Sequence, residues 1–308
     1  MSSETLYQLT ERYLKETEPD AAELLPQEPM KNHTSFQIGG PADLLVLPRS
    51  LETAAGLARF YREREIPCML LGNGTNLLVS DRGIRGVVLG LSAVENPIER
   101  TEDGLRCPSG ALLVKAASFA CREGLAGLEF AHGIPGSLGG AVFMNAGAYG
   151  GEMKDIVAET EFLDENGERR SIRGEEHGFS YRKSVFSGRN CVILSTRLRL
   201  RPGDREEIQA KMDGLMARRR EKQPLELPSA GSVFKRPAGH FAGTLIQENG
   251  LRGYRIGGAA VSEKHCGFIV NLGGATCQDV LRLVEHIQQT VEARTGVRLE
   301  CEIRKVGE

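Results

Sequence analysis

The chain has 308 residues, 40% of them hydrophobic and 26% charged, with a formal net charge of -2. This is the balance of a globular protein long enough for two or three domains, each with its own core. It lacks the basic excess of a nucleic-acid binder, and no apolar run approaches the roughly 20 residues needed to span a bilayer.

Seven cysteines (Cys68, Cys107, Cys121, Cys191, Cys266, Cys277 and Cys301) are scattered and never spaced as CxxC. Neither a disulfide framework nor a metal site fits them. The expectation is free, mostly buried thiols in a reducing compartment. Met1-Ser2-Ser3-Glu4 lacks the basic and apolar regions of a signal peptide, so a cytoplasmic location is expected. Nothing in the sequence points to a protein partner.

Leu6, Leu9, Tyr13 and Leu14 fall near helical spacing and predict a helix over residues 4–18. A Pro/Glu-rich linker is read from Pro19 to Pro29, so 1–29 forms an N-terminal helix and linker. A strand at Leu44–Leu47 and a helix at Glu52–Glu65 follow. Three short strands come next (Met69–Leu71, Leu77–Val79 and Val87–Leu89), making 30–90 one α+β unit. A second unit, 91–201, has a helix at Leu112–Glu123 and a strand at Val192–Leu200. In that strand Val192, Leu194, Thr196, Leu198 and Leu200 alternate with Ile193, Ser195, Arg197 and Arg199. Pro202-Gly203 opens a third unit, 202–308. Asp204 is placed to cap a helix running to Lys222, with Glu207 completing a capping box. The basic run Arg218-Arg219-Arg220-Glu221-Lys222 ends that helix, where it complements the dipole. A last helix starts at Thr276, with Asp279 at the matching box position. It is expected to bury Val280, Leu281, Val284, Ile287 and Val291 and to stop at Gly296. The final strand, Arg298–Arg304, puts Leu299, Cys301 and Ile303 on one face and Glu300, Glu302 and Arg304 on the other.

Four segments carry chemistry. Gly72-Asn73-Gly74-Thr75-Asn76-Leu77 lies between two predicted strands; it reads either as a phosphate-binding turn or as a plain hairpin. It is not a Rossmann fingerprint, having no third glycine and no following helix, and the chain has no Gly-Lys dipeptide for a P-loop. The stretch from His132 to Gly151 holds seven glycines in 20 positions. A backbone wrapping a large ligand explains it; a mobile surface loop is the alternative. Phe179-Ser180-Tyr181-Arg182-Lys183-Ser184-Val185-Phe186 and Pro228-Ser229-Ala230-Gly231-Ser232-Val233-Phe234-Lys235-Arg236-Pro237 set hydroxyls and cations beside aromatic anchors, which suits an anionic substrate. Each also reads as an ordinary strand end, and Ser232 is not in a GxSxG elbow.

In this order the four segments resemble the UDP-N-acetylenolpyruvoylglucosamine reductase family. Supporting matches are Asn32-His33-Thr34-Ser35-Phe36 with Ile38-Gly39-Gly40-Pro41-Ala42, and Ala260-Val261-Ser262-Glu263-Lys264-His265 with Phe268-Ile269-Val270-Asn271. The resemblance runs from about residue 30 to the C-terminus. It implies an α+β protein: a two-subdomain FAD-binding fold of the vanillyl-alcohol-oxidase type, with a C-terminal α+β substrate-binding domain. It also implies FAD and NADPH as cofactors, UDP-N-acetylglucosamine enolpyruvate as substrate and UDP-N-acetylmuramate as product. Gly72, Asn73, Gly74, Thr75, Asn76 and Leu77 would cradle FAD, with Ile134, Pro135, Gly136, Ser137, Gly139, Gly140 and Ala141. Asn145, Gly147, Ala148 and Arg304 would join them. Arg182 and Glu302 would be catalytic and Ser232 the proton donor, with Glu300 on the same face as the alternative carboxylate. Tyr149, Tyr181, Lys235, Gln247 and Lys264 would lie near the nucleotide sugar. Only 50 steps separate Arg182 from Ser232, which resembles the class without a long tyrosine-bearing loop. Arg236 stands where many relatives have asparagine. Rival readings are another FAD-dependent sugar or alcohol oxidoreductase of this fold, a non-catalytic nucleotide-sugar binder, and a flavin-free UDP-sugar transferase.

Overall fold

The computed structural model describes residues 1–94 and 96–308. The chain divides into two compact units, each discontinuous in sequence. The first comprises Met1–Pro26, Leu44–Asn73 and Gly86–Arg218; the second comprises Gln27–Asp43, Gly74–Arg85 and Arg219–Glu308. The segments read from the sequence, by contrast, are contiguous.

In chain order the helices are α1 (Ser3–Thr17), α2 (Leu51–Glu63), α3 (Leu113–Arg122), α4 (Leu138–Phe143), α5 (Arg205–Lys222), α6 (Ala242–Glu248) and α7 (Cys277–Thr295). The strands begin with β1 (Ala22–Pro26), β2 (Ala42–Pro48), β3 (Cys68–Leu71), β4 (Leu77–Val79), β5 (Ile84–Gly90), β6 (Glu99–Thr101) and β7 (Gly104–Pro108). They continue with β8 (Leu125–Ala126), β9 (Gly147–Ala148), β10 (Gly151–Glu152), β11 (Val157–Leu163), β12 (Arg169–Arg173), β13 (Val192–Arg199) and β14 (Arg201–Pro202). The last are β15 (Ser229–Ser232), β16 (Arg255–Ile256), β17 (Ala259–Val261), β18 (Phe268–Asn271) and β19 (Arg304–Val306).

In the first unit Ser2 caps α1, its hydroxyl accepting from the Thr5 amide at 3.2 Å. The helix buries Leu6, Thr10 and Leu14, and the Thr10 hydroxyl shares a buried 2.9 Å hydrogen bond with the Tyr61 hydroxyl of α2. The expected linker is partly a strand: β1 pairs antiparallel with β2 from Ala22↔Pro48 to Pro26↔Leu44. Leu24 gives β1 its reason to pair, since it packs with Leu44, Val46 and Leu57 in the core under α1 and α2. The sheet order is β1-β2-β5-β3, with β3 parallel to β5.

A second sheet of this unit, β12-β11-β13-β7-β6, is antiparallel throughout. Leu105, Ala116, Leu138, Val142 and Leu198 join α3, α4 and this sheet in one core. The alternation read in β13 holds at its end, where Leu198 is buried and Arg199 exposed. At its start both faces are covered. Val192 and Leu194 enter the core shared with α2, while Ile193 enters the other.

In the second unit β15-β18-β17-β16 form an antiparallel sheet with α6 and α7 in its core. The capping box is present at α7: the Asp279 amide donates to Thr276 Oγ1 at 3.0 Å, and the Thr276 amide to Asp279 Oδ2 at 3.1 Å. Gly296 ends the helix at φ +72°. The buried stripe is Val280, Leu283, Val284, Ile287 and Val291. Leu281 sits one position off it and is half-buried, because the i, i+3, i+4, i+7 face from Val280 selects Leu283 instead. In the first unit Asp204 caps α5, accepting from the Glu206 and Glu207 amides at 2.9 and 3.0 Å; among the described residues no bond from the Glu207 side chain completes the expected box.

The final strand is shorter than read. Residues 298–303 hold one antiparallel bridge, Phe234↔Cys301, and regular pairing starts only at β19. Leu299 and Ile303 are buried but Cys301 is exposed; a single bridge does not enforce strict facial alternation. All seven cysteines are free: Cys107, Cys121, Cys266 and Cys277 are buried, Cys68 and Cys191 half-buried. Burial pushes the Cys68 and Cys107 thiols up to about 12. Among the described residues no helix is long and apolar enough to cross a membrane.

Candidate functional site

The predicted site residues fall on both units. In the first, two glycine-rich segments distant in sequence meet. The Asn73 side-chain amide donates to the Pro135 carbonyl. A Cβ on Gly72 would lie 2.3 Å from Ser137 Oγ, so a side chain there would force the serine hydroxyl to turn away. Ser137 caps α4 (Gly140 amide to Ser137 Oγ, 3.4 Å), and Gly139 packs so closely on Ser109 that an added Cβ would fall 2.8 Å from the serine Cβ. The amides of Leu138, Gly139 and Ala141 donate to carbonyls of Ala111, Ser109 and Ser137. What these small residues offer a ligand is therefore close approach to the backbone more than a row of donors.

The next predicted contacts sit on the β9–β10 hairpin. Asn145 is fully buried, and its side-chain amide donates to Glu152 Oε2 (2.8 Å) and the Ser180 carbonyl (3.1 Å). Its side-chain carbonyl accepts from the Lys154 amide at 2.9 Å. Asn145 thus ties the hairpin to the loop bearing Tyr181 and Arg182. Arg182 Nη2 closes the connection by donating to the Gly147 carbonyl at 3.3 Å, and its guanidinium lies 5.0 Å from the Tyr181 ring centroid. Asn145, Tyr149 and Arg182 all have positive φ (+45°, +54° and +56°). Such conformations cost on the order of 1–3 kcal/mol each and concentrate at functional sites. Tyr149 and Tyr181 are 40% and 51% exposed, surface that a planar or sugar ligand could cover.

In the second unit the rest of the first loop meets the C-terminal segment. Gly74, at φ +61°, passes so close to residue 33 that a Cβ would lie 2.0 Å from the His33 carbonyl oxygen. Beyond it, Asn76 Nδ2 donates to the Glu302 carbonyl at 3.2 Å, and the Arg304 amide donates to the Asn76 carbonyl at 2.9 Å. The same loop runs into β4, which pairs parallel with β19 (Leu77↔Arg304). Since β3 pairs with β5 instead, the hairpin alternative for this loop is wrong. Ser232 ends β15 just after Gly231, at φ +76°, where the register with β18 shifts. It is exposed, and the next residue, Val233, accepts from the Glu302 amide at 2.7 Å. Asn76, Ser232, Glu302 and Arg304 are thereby gathered. Lys235 Nζ lies 3.0 Å from Glu300 Oε2. Gln247 and Lys264 bond elsewhere in this unit: Gln247 Oε1 accepts from Arg252 at 2.6 Å, and Lys264 pairs with Glu226 at 3.6 Å.

Ser109 Oγ and His132 Nδ1 are buried without a hydrogen-bond partner. Ser109 supports Gly139 and His132 precedes Gly133, so two orphaned polar atoms adjoin the glycine-rich segment. A bound group able to satisfy them suits that position, and the residues present fit a flavin dinucleotide. Sequence reasoning missed Ser109, Glu152 and Arg218, whose guanidinium lies 5.2 Å from the Tyr149 ring centroid. Ser109 is in no motif; Glu152 had a signal as the carboxylate closing the Gly-rich hairpin, and Arg218 only as part of the basic run that ends α5.

Residues 42–173 match the model of an FAD binding domain, and residues 223–306 that of the UDP-N-acetylenolpyruvoylglucosamine reductase C-terminal domain. The UDP-N-acetylenolpyruvoylglucosamine reductase of Caldanaerobacter subterraneus subsp. tengcongensis is 53% identical over 282 residues, covering 91% of this chain and 93% of that one. That of Listeria monocytogenes is 48% identical over 281 residues, covering 91% and 94%. The crystal structure of the reductase from Thermus caldophilus superposes with a TM-score of 0.78 at 37% identity, covering 92% of this chain and 98% of that one. With an FAD binding domain followed by the reductase C-terminal domain, the chain belongs to the UDP-N-acetylenolpyruvoylglucosamine reductase family.

Proposed function

We propose that this protein reduces UDP-N-acetylglucosamine enolpyruvate to UDP-N-acetylmuramate, with FAD as cofactor and NADPH as reductant, in cytoplasmic peptidoglycan precursor synthesis. The observation that carries the reading is the knot in the second unit. Asn76, from a loop expected to hold flavin, bonds both Glu302 and Arg304 beside Ser232. The seven free thiols support a reducing compartment.

When bound, FAD carries an electron pair from NADPH to the enolpyruvyl double bond. Gly72 to Leu77, Ile134 to Ala141, Asn145 to Ala148 and Arg304 would hold it. Addition at the substrate's β-carbon drives negative charge toward the α-carbon and carboxylate. Arg182 offers a planar fork to that charge, and Ser232 delivers the proton that completes the α-carbon. Glu302 orients the serine or holds the proton it passes on. Tyr149, Tyr181, Lys235, Gln247 and Lys264 bind the nucleotide sugar.

The test is NADPH oxidation followed with and without the enolpyruvyl substrate. The purified protein should be yellow, and oxidation should be strictly substrate-dependent and match UDP-N-acetylmuramate formed. A colourless protein that takes up no added FAD overturns the reading; flavin-bound protein indifferent to the enolpyruvyl sugar overturns the substrate.

A further inference from the structure

Helix α5 runs for 18 residues yet buries only Ile208 and Met212 of them. Its packing does not explain why it ends in Arg218-Arg219-Arg220. Two cations seven positions apart, on one face of this helix, are used differently. Lys211 is spent on Glu129, with Nζ 3.5 Å from Oε2. Arg218 is exposed and has no carboxylate partner among the described residues. Its guanidinium instead lies over the ring of Tyr149, 5.2 Å from the centroid. An exposed cation at a helix end normally answers the dipole; this one is drawn to a half-exposed tyrosine on a strained hairpin.

That hairpin is held by a guanidinium at each end: Arg182 bonds the Gly147 carbonyl at its start, and Arg218 covers Tyr149 at its tip. A guanidinium held over a ring by its central carbon still has N–H donors to offer an anion. The enolpyruvyl nucleotide sugar brings two anionic groups, a carboxylate and a diphosphate. With Arg182 assigned to the carboxylate, the second cation matches the second anion. We infer that Arg218 is a substrate-positioning residue that holds the diphosphate of the UDP moiety, with Tyr149 as the platform that orients its guanidinium. The inference rests on the placement of Tyr149 at the nucleotide sugar in the proposed function.

The experiment compares holoenzymes carrying Arg218→Gln, Arg218→Lys and Tyr149→Ala with the parent protein. The readouts are KM and kcat for the enolpyruvyl substrate at saturating NADPH, the Ki of UDP, and the melting temperature. Arg218→Gln should raise both KM and the UDP Ki about tenfold or more, as loss of a hydrogen bond to a charged group predicts. Its kcat and melting temperature should stay near parental. Arg218→Lys should recover part of the affinity, since it restores charge without the fork. An unchanged UDP Ki in Arg218→Gln, with a raised one in Tyr149→Ala, overturns the role of Arg218 alone. An unchanged Ki in both removes Tyr149 from the nucleotide, and the inference falls with that placement. A fall in kcat with the UDP Ki intact places Arg218 at the carboxylate and also overturns it.

Discussion

Ser232 stands exposed at the end of a strand whose register shifts just before it. The chemistry assigned to it makes a separable prediction. Proton delivery to the α-carbon has no part in the transfer of electrons from NADPH to flavin. Ser232→Ala should therefore bind FAD and be reduced by NADPH at close to the parental rate. Reoxidation by the enolpyruvyl substrate should slow by about 10²–10⁴-fold, the range for a lost general acid. Stopped-flow flavin absorbance reads both phases in one sample, and equal slowing of the two would remove Ser232 from proton delivery. The glycines were legible in the sequence by themselves: Gly74 and Gly139 occupy positions where a Cβ meets backbone or a packed neighbour; the roles of Ser232 and Arg182 came only from the family resemblance. Arg218 was not legible. Helical spacing gives the face on which a side chain lies, but not which distant hairpin packs there.

At the scale of elements, the box at α7 was read correctly, that at α5 only by half, and pairings less well. The Thr276–Asp279 box is a signal four residues long, and the structure reproduces it. Thr276→Ala should destabilise the protein by about 1 kcal/mol, measured as a shift in urea midpoint without a change in flavin content; no shift would show the cap to be redundant. Strand β1 escaped detection because it is short, half-buried and bounded by prolines, so its partner β2 defines it more than its own composition does. The union of β4 with β19 escaped for a different reason. Parallel neighbours need no tight turn between them, so no turn residue announces them.

Across the whole molecule, stability should depend on pH through buried imidazoles. His177 is fully buried, with Nδ1 donating to the Gly174 carbonyl and Nε2 accepting from Thr160, each at 2.9 Å. His265 Nδ1 accepts from the Gly267 amide at 3.1 Å. Burial holds both below the ordinary histidine value of 6.5, so the folded state resists a proton that the unfolded chain takes readily. Stability is then full above about pH 6.5 and falls as the pH drops from there toward the depressed values. Urea denaturation at pH 7.5 and 5.5 should show that loss, and equal midpoints would contradict it. Carboxylates held low by their partners, such as Glu161 beside Ser195 and Arg106, add a further loss only below about pH 4.5, their ordinary range. The tie between Asn76 and Glu302 bears on how the protein is made. These residues are 226 positions apart, and a ribosome adding about 5–20 residues per second needs roughly 11–45 s to travel from one to the other. For all that time the loop carrying Asn76 waits on the nascent chain without its partner. The tie that gathers Asn76, Glu302 and Arg304 can therefore form only after the chain has been made through Arg304, and a message that stops before Glu302 leaves the Asn76 loop without the partner that the second unit gives it.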